Sequence, residues 1–186
     1  MSVFEFRPQG IYCPQGDFYI DPWRPVERAL ITHGHSDHAR YGSKKYLCTE
    51  LAAPVIRHRL GEVKIETVPY EKEININGVR ISFHPAGHVP GSAQILAEIK
   101  GERWVVSGDY KVVYDGLSTP FEPIKCHSFI SECTFGLPAF NWLPQKEIFQ
   151  EINNWWLQCN REGITPVLAA YGLGKAQRLL SGIDNS

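Results

Sequence analysis

The stretch THGHSDHA, residues 32–39, contains four side chains that bind metals well: His33, His35, Asp37 and His38. It follows the apolar run RALI, which is typical of a buried strand, and Gly34 gives the backbone room to turn. Imidazole and carboxylate groups together suit zinc and neighbouring metals. We place Asp37 and His38 on the first turn of a following helix. Because a strand end and a helix start point in different directions, the four side chains can divide between two adjacent metals. We therefore predict metal binding here, rather than ordinary hydrogen-bonded histidines.

Two further candidate ligands follow other predicted strands. In FHPAGHVPGSAQ, residues 83–94, His88 comes after a strand that ends in Pro-Ala-Gly. His84 lies inside that strand, so we predict that it is structural or supports a ligand. Asp109 ends the buried run WVVSGD, residues 104–109, where a simple turn is the alternative interpretation. Together with the first cluster, these positions favour a carboxylate shared between two metals.

The composition is that of a chain with one sizeable core: 186 residues, 43% of them hydrophobic, with a formal net charge of -1. This charge argues against non-specific nucleic-acid binding, but not against a nuclease, whose local charge can differ from the total. The five cysteines lie apart and form no CxxC pair, which favours a reducing compartment. No signal-peptide pattern opens the chain, and no apolar run approaches about 18 residues. We expect a cytoplasmic protein that does not enter a membrane.

The pattern along the chain changes after about residue 142. Before it, strand patterns dominate, and Asn77-Gly78 and Lys100-Gly101 mark hairpin turns. After it, QKEIFQEINNWWLQCNREG has helical spacing and ends at a glycine, with Trp155 and Trp156 assigned to the core. We therefore expect two domains, residues 1–142 and 143–186.

The second predicted domain continues with TPVLAAYGLGKAQRLLSG, residues 165–182, which is typical of a buried strand, a glycine turn and a helix start. In GLGK, Lys175 and the backbone N–H groups at the helix start are candidates for phosphate contact. The alternative is that these glycines only make a tight turn.

The order of these motifs resembles a known family. HGHSDH, a histidine in PAGH and a later SGD follow the ligand order of the metallo-β-lactamase fold. FISECTFG and the pattern in residues 165–182 are similar to the β-CASP nucleases, in which an acidic residue precedes an inserted helical cap. Most of the chain resembles the bacterial ligase-associated DNA exonucleases in YCPQGDFYIDPW, ITHGHSDHAR, PAGHVPGSAQ, SGDYK, PFEP and FGLPAFNW. The resemblance implies an α/β fold: an incomplete metallo-β-lactamase αββα sandwich followed by the start of a β-CASP cap.

The resemblance also implies a role for each ligand. One metal would be held by His33, His35 and His88, and the other by Asp37 and His38, with Asp109 bridging the two. Glu132 would orient the ligands or the catalytic water. The cofactors would be two divalent metals, zinc first and manganese as the alternative, which share a hydroxide that attacks the phosphodiester. Asp37, Asp109 and Glu132 are thus the candidate catalytic residues.

The function implied is a metal-dependent nuclease, a DNA exonuclease in DNA repair, associated in function with a DNA ligase and a helicase. An RNA-processing β-CASP ribonuclease is the first alternative, because no sequence motif reveals a contact to the 2′-OH. A small-molecule metallo-hydrolase is an alternative from another class, against which ECTFG and GKAQ argue. A catalytically incomplete binding fragment is a further alternative.

The histidines predict that the 186 residues are not a whole enzyme. In the family, the chain returns after the cap to donate a final histidine to the second metal. Beside the four histidine ligands, the chain has only His84 and two histidines that we assign to structural roles, His58 and His127. We therefore expect the second metal to bind more weakly and the nuclease activity of this chain alone to be feeble or absent.

Overall fold

The computed structural model describes residues 2–184. These residues form two compact units, one that ends at Glu132 and one that starts at Cys133. Residues 133–142, which the sequence analysis assigns to the first domain, belong to the second unit. The predicted domain boundary at residue 142 stays a prediction.

The first unit contains two β-sheets and one helix. The first sheet has six strands in chain order: β1 (Glu5–Arg7), β2 (Gly10–Cys13), β3 (Phe18–Ile20), β4 (Arg28–Leu30), β5 (Lys45–Thr49) and β6 (Ile65–Val68). The second sheet has five strands in the order β11-β10-β9-β8-β7: β7 (Ile74–Ile76), β8 (Val79–Pro85), β9 (Ala93–Ile99), β10 (Glu102–Val106) and β11 (Ser128–Ile130). The helix is α1 (Ala53–Leu60). The first three strands pair antiparallel, whereas β3 to β6 pair parallel.

The predicted hairpins are present in the second sheet. Asn77 and Gly78 join β7 to β8 with φ angles of 51° and 85°. Lys100 and Gly101 join β9 to β10 with φ angles of 50° and 84°. Two consecutive left-handed residues match the twist of the flanking strands, which is why Asn-Gly is a strong turn signal.

The two sheets face each other across one apolar core. Phe18 and Leu30 of the first sheet are fully buried in the same cluster as Phe83 and Ile95 of the second. On the outer face of the first sheet, α1 packs through Ile56 and other buried residues into a second cluster. The predicted α/β class, with two sheets packed as a sandwich, is therefore confirmed.

The second unit contains α2 (Gln145–Arg161) and α3 (Lys175–Gly182), both near their predicted positions. The buried strand predicted at the start of TPVLAAYGLGKAQRLLSG is wrong: among the described residues this segment pairs with no strand, and Val167 is 81% exposed. The assignment of Trp155 and Trp156 to the core is also wrong, since they are 40% and 36% exposed. Apolar spacing marks a face that can be buried, but burial needs a surface to pack against.

Within residues 2–184, no helix combines the length and the apolar character that a membrane span requires.

Candidate metal centre

The candidate ligands meet where strands of both sheets end. His33 follows β4 of the first sheet, whereas His88 follows β8 and Asp109 follows β10 of the second. One backbone hydrogen bond joins the sheets at this edge, from the Ala93 N–H to the carbonyl oxygen of Thr32 at 2.8 Å. Loops that are far apart in sequence are thereby brought to one place.

Three imidazoles and one carboxylate form the tightest group. One ligand atom from each of His33, His35, His88 and Asp109 lies within 4.8 Å of the others. His35 Nδ1 lies 2.9 Å from His33 Nε2 and 3.2 Å from His88 Nε2. Asp109 Oδ2 lies 3.8 Å from His33 Nε2 and 3.6 Å from His88 Nε2.

This geometry suits a cation. One Nδ1 atom faces two Nε2 atoms, and a single N–H on His35 cannot donate to both at once. Tetrahedral zinc with Zn–N bonds of about 2.0–2.1 Å separates its nitrogen ligands by roughly 3.3 Å. The observed spacing is close to that value, so the converging lone pairs fit a divalent metal better than they fit one another.

A second group lies on the other side of Asp109. Asp109 Oδ1 lies 3.2 Å from His38 Nε2, and Asp37 Oδ2 lies 3.7 Å from the same nitrogen. The two oxygens of Asp109 therefore face different ligand groups, which supports the predicted sharing of this carboxylate. The side chain of Asp37 is 69% exposed, so this second group is open to solvent.

The helix predicted to begin at Asp37 is wrong. Residues 36–38 form a single turn, in which the N–H groups of His38 and Ala39 donate to the carbonyl oxygen of His35 at 3.2 and 2.8 Å. This turn bends the chain back toward His35, and the His38 ring packs against the His33 ring with the centroids 4.1 Å apart.

Burial and charge set the protonation of the ligands. Burial lowers the pKa of His33, and the neighbouring histidines lower it further. Burial also lowers the pKa of His88. Burial opposes the protonation of His38, but hydrogen bonds to Asp109 and Asp21 outweigh it and raise the pKa to about 10. The pKa of Asp109 is lowered, since His38 outweighs the effect of burial. Without metal, His33 is therefore neutral at pH 7 and His38 carries a proton.

Asp21 is a functional candidate that the sequence analysis missed. It follows β3, and its carboxylate accepts hydrogen bonds from the N–H and Oγ1 of Thr32 at 2.8 and 2.5 Å. It also accepts one from His38 Nδ1 at 2.7 Å. A carboxylate on Nδ1 leaves Nε2 of His38 free to face the metal position. The only sequence signal was an aspartate directly after a strand in FYIDPW.

Ser92 was also missed, although it lies in the quoted PAGHVPGSAQ. Its side chain is buried, and its Oγ accepts hydrogen bonds from the N–H groups of His88 and Val89 at 3.1 and 3.2 Å. The Thr49 hydroxyl donates to the carbonyl oxygen of Gly91 at 2.7 Å. These bonds fix the loop that carries His88.

The amino-acid sequence is similar to those of several known proteins. No family model matches it. It is 32% identical over 181 residues to a probable DNA ligase of Opitutus terrae, covering 95% of this chain and 18% of that protein. It is 32% identical over 123 residues to the endoribonuclease YSH1 of Yarrowia lipolytica, covering 65% of this chain and 15% of that protein. The chain is homologous to β-CASP nucleases of the metallo-β-lactamase fold. It spans less than a fifth of the length of either relative.

A solved structure agrees on the fold. A protein of unknown function from Enterococcus faecalis V583 superposes with a TM-score of 0.50 at 10% identity, covering 70% of this chain and 39% of that one. At this identity the likeness concerns the fold alone.

The remaining predicted site residues, Glu132 and Lys175, and the doubtful His84 lie in three different environments. Glu132 is close enough to His88 that its charge raises the pKa of that imidazole, although burial has the larger, opposite effect. His84 lies inside β8, where its Nε2 is 2.9 Å from the Ser82 hydroxyl, outside the group of four ligands. Lys175 is the first residue of α3 in the second unit, with its Nζ 5.4 Å from the centre of the Tyr171 ring.

Among the described residues, the hydrogen bonds and ion pairs of the ligand group do not involve the two histidines assigned to structural roles, His58 and His127. His58 is exposed on α1. His127 Nδ1 accepts a hydrogen bond from the Arg103 N–H at 3.0 Å. That bond adds to the pairing of β10 with the segment before β11, as expected for a structural residue.

Proposed function

We propose that this chain carries the metal centre of a metal-dependent nuclease, which hydrolyses phosphodiester bonds in nucleic acid with DNA as the favoured substrate. The observation that carries the proposal is the position of Asp109, whose two oxygens face two separate groups of ligands. Two-metal sites of this kind hold the attacking and leaving oxygens of a displacement at phosphorus.

The first group would hold one divalent ion through His33, His35 and His88. Burial keeps the pKa of His33 and His88 low, so both imidazoles offer lone pairs at neutral pH. The ionised Asp109 supplies negative charge beside them. Neutral imidazoles with one carboxylate match zinc, and manganese is the alternative that a second carboxylate favours.

The second group would hold the other ion through Asp37 and His38, with Asp109 shared. Asp21 fixes the ring of His38 by accepting the Nδ1–H, so that Nε2 faces Asp109. Such ions, when bound, lower the pKa of water to about 7 and offset the charge that develops on the phosphate. The exposure of Asp37 leaves this side of the centre open to a polymer substrate. Glu132 would act as a positioning residue near His88.

DNA is favoured over RNA because the match to the probable DNA ligase combines 32% identity with coverage of 95% of the chain. That relative also supports a functional association with ligation, and so a role in DNA repair. Endoribonuclease relatives support an RNA-cleaving alternative: one covers 65% of the chain at 32% identity, and another, from Mycosarcoma maydis, covers 98% at 26% identity.

The test is cleavage of end-labelled DNA and RNA strands of the same sequence by the zinc- or manganese-loaded chain. Cleavage by this chain alone should be feeble; we expect it to be faster on DNA, and we expect Asp109→Ala to lose it while keeping the fold. His58→Ala is the matched control, since His58 is an exposed histidine outside the ligand group. Metal binding without cleavage of either strand would favour the binding-fragment alternative, and faster RNA cleavage would favour the ribonuclease.

A further inference from the structure

The helix α1 reaches the candidate metal centre through one side chain. Gly34, the residue between the ligands His33 and His35, is buried, and its carbonyl oxygen accepts a hydrogen bond from Arg59 Nε at 2.7 Å. The bond spans 25 positions of sequence. We propose that Arg59 is a positioning residue that sets the direction of His33 and His35, an inference that rests on the proposed metal centre.

The peptide at Gly34 needs an outside anchor. Glycine restrains its backbone less than any other residue, so the peptide planes on either side can rotate at low cost. Thr32, two residues before Gly34, is held by Asp21, and the carbonyl oxygen of His35 is held by the following turn. Arg59 holds the carbonyl between these two fixed points. A charged donor makes a stronger bond than a neutral one, and a buried carbonyl without a partner is costly.

The helix is a rigid support for this bond. Ile56 and Leu60 are buried against the outer face of the first sheet, on either side of Arg59 in sequence. The residue before the helix, Ala52, also lies against Gly91 of the His88 loop, so closely that a Cβ on Gly91 would clash with its backbone. The two ends of α1 thus contact the two loops that carry the three histidine ligands.

The experiment compares metal binding by two variants of the full chain. Arg59→Met keeps the aliphatic stem and removes the donor. Arg57→Met is the matched control, because Arg57 is exposed on the same last turn of α1 and the change in charge is identical. Cobalt(II) is the probe, since its absorption spectrum reports the arrangement of its ligands. Arg59 is itself largely exposed, so its replacement leaves the apolar core unchanged.

We expect Arg59→Met to bind cobalt about tenfold more weakly than Arg57→Met, with an altered absorption spectrum. Arg59→Lys, which keeps a charged donor, should recover part of the affinity and is the deciding variant if the methionine variant does not fold. Equal affinities and spectra for Arg59→Met and Arg57→Met would overturn the role of Arg59 alone. A lysine variant no better than Arg59→Met would do the same. Failure of the unmodified chain to bind cobalt would overturn the proposed metal centre as well.

Discussion

Proton competition at His38 should make the two metal positions respond differently to pH. Without metal, His38 is protonated, because Asp109 and Asp21 outweigh burial and raise its pKa to about 10. A metal that binds Nε2 must displace that proton. Between pH 7 and pH 10 the neutral form becomes about tenfold more abundant per pH unit, which corresponds to ~1.4 kcal/mol per unit. His33 and His88 have lowered pKa values and pose no such competition in this range.

The size of the pH effect follows from the raised pKa of His38. Protonated His38 dominates below its pKa, so affinity at the second position rises with pH and levels off near pH 10. From about pH 7 to about pH 8.5, we expect up to roughly a 30-fold gain there, at about 1.4 kcal/mol per unit. The position formed by His33, His35 and His88 should change little. Isothermal titration calorimetry in buffers of different ionisation enthalpy measures both the affinity and the number of protons released.

The result should depend on His38 itself. In the unmodified chain, about one proton should be released as the second metal binds at pH 7. In His38→Ala, the release and the pH-dependent step should both disappear, while the first metal still binds. Release of no proton by the unmodified chain, or a pH dependence that survives in His38→Ala, would refute the reasoning.

Two further predictions concern single residues. His88→Ala should remove tight metal binding, whereas His84→Ala should reduce metal binding far less, since only His88 lies beyond the strand end. Elemental analysis measures the metal content of the two variants. Equal losses of metal would contradict this prediction. Gly108→Ala should destabilise the fold more than Gly116→Ala in urea unfolding. Both glycines have positive φ, which costs a side chain about 1–3 kcal/mol, but only at Gly108 would the Cβ lie 2.6 Å from Thr32. Equal losses of unfolding free energy in the two variants would show that the contact between Thr32 and a Cβ at position 108 is relieved without cost.

Sequence reasoning succeeded where one short segment determines the outcome. The hairpin at Asn77-Gly78 follows from the left-handed conformation that these residues tolerate. Helix α1 starts beside Pro54 and ends before Gly61, as a proline in the first turn and a glycine after the last turn predict. The ligand-bearing loops were found because histidine and aspartate after a buried strand are unusual in themselves.

It failed where the outcome depends on a distant partner. In the sequence, Asp21 cannot be distinguished from an ordinary aspartate in a turn, because its contact with His38 forms only in the folded chain. Arg59 has the pattern of an ordinary charged residue on a helix surface, because no neighbouring residue in the sequence indicates its hydrogen bond to Gly34. The run 166–171 has the composition of a strand, but a strand exists only when another strand or segment pairs with it.

The hydrogen bond between Ala93 and Thr32 marks a seam between the two sheets, and the metal ligands lie on both sides of it. We therefore expect the site to form only after the sheets have docked, because His33 and Asp109 come from distant parts of the chain. A bound ion would then have no partner in the folding transition state. Metal should leave the folding rate nearly unchanged and slow unfolding, so that a chelator shortens the lifetime of the native chain without altering how fast it is reached.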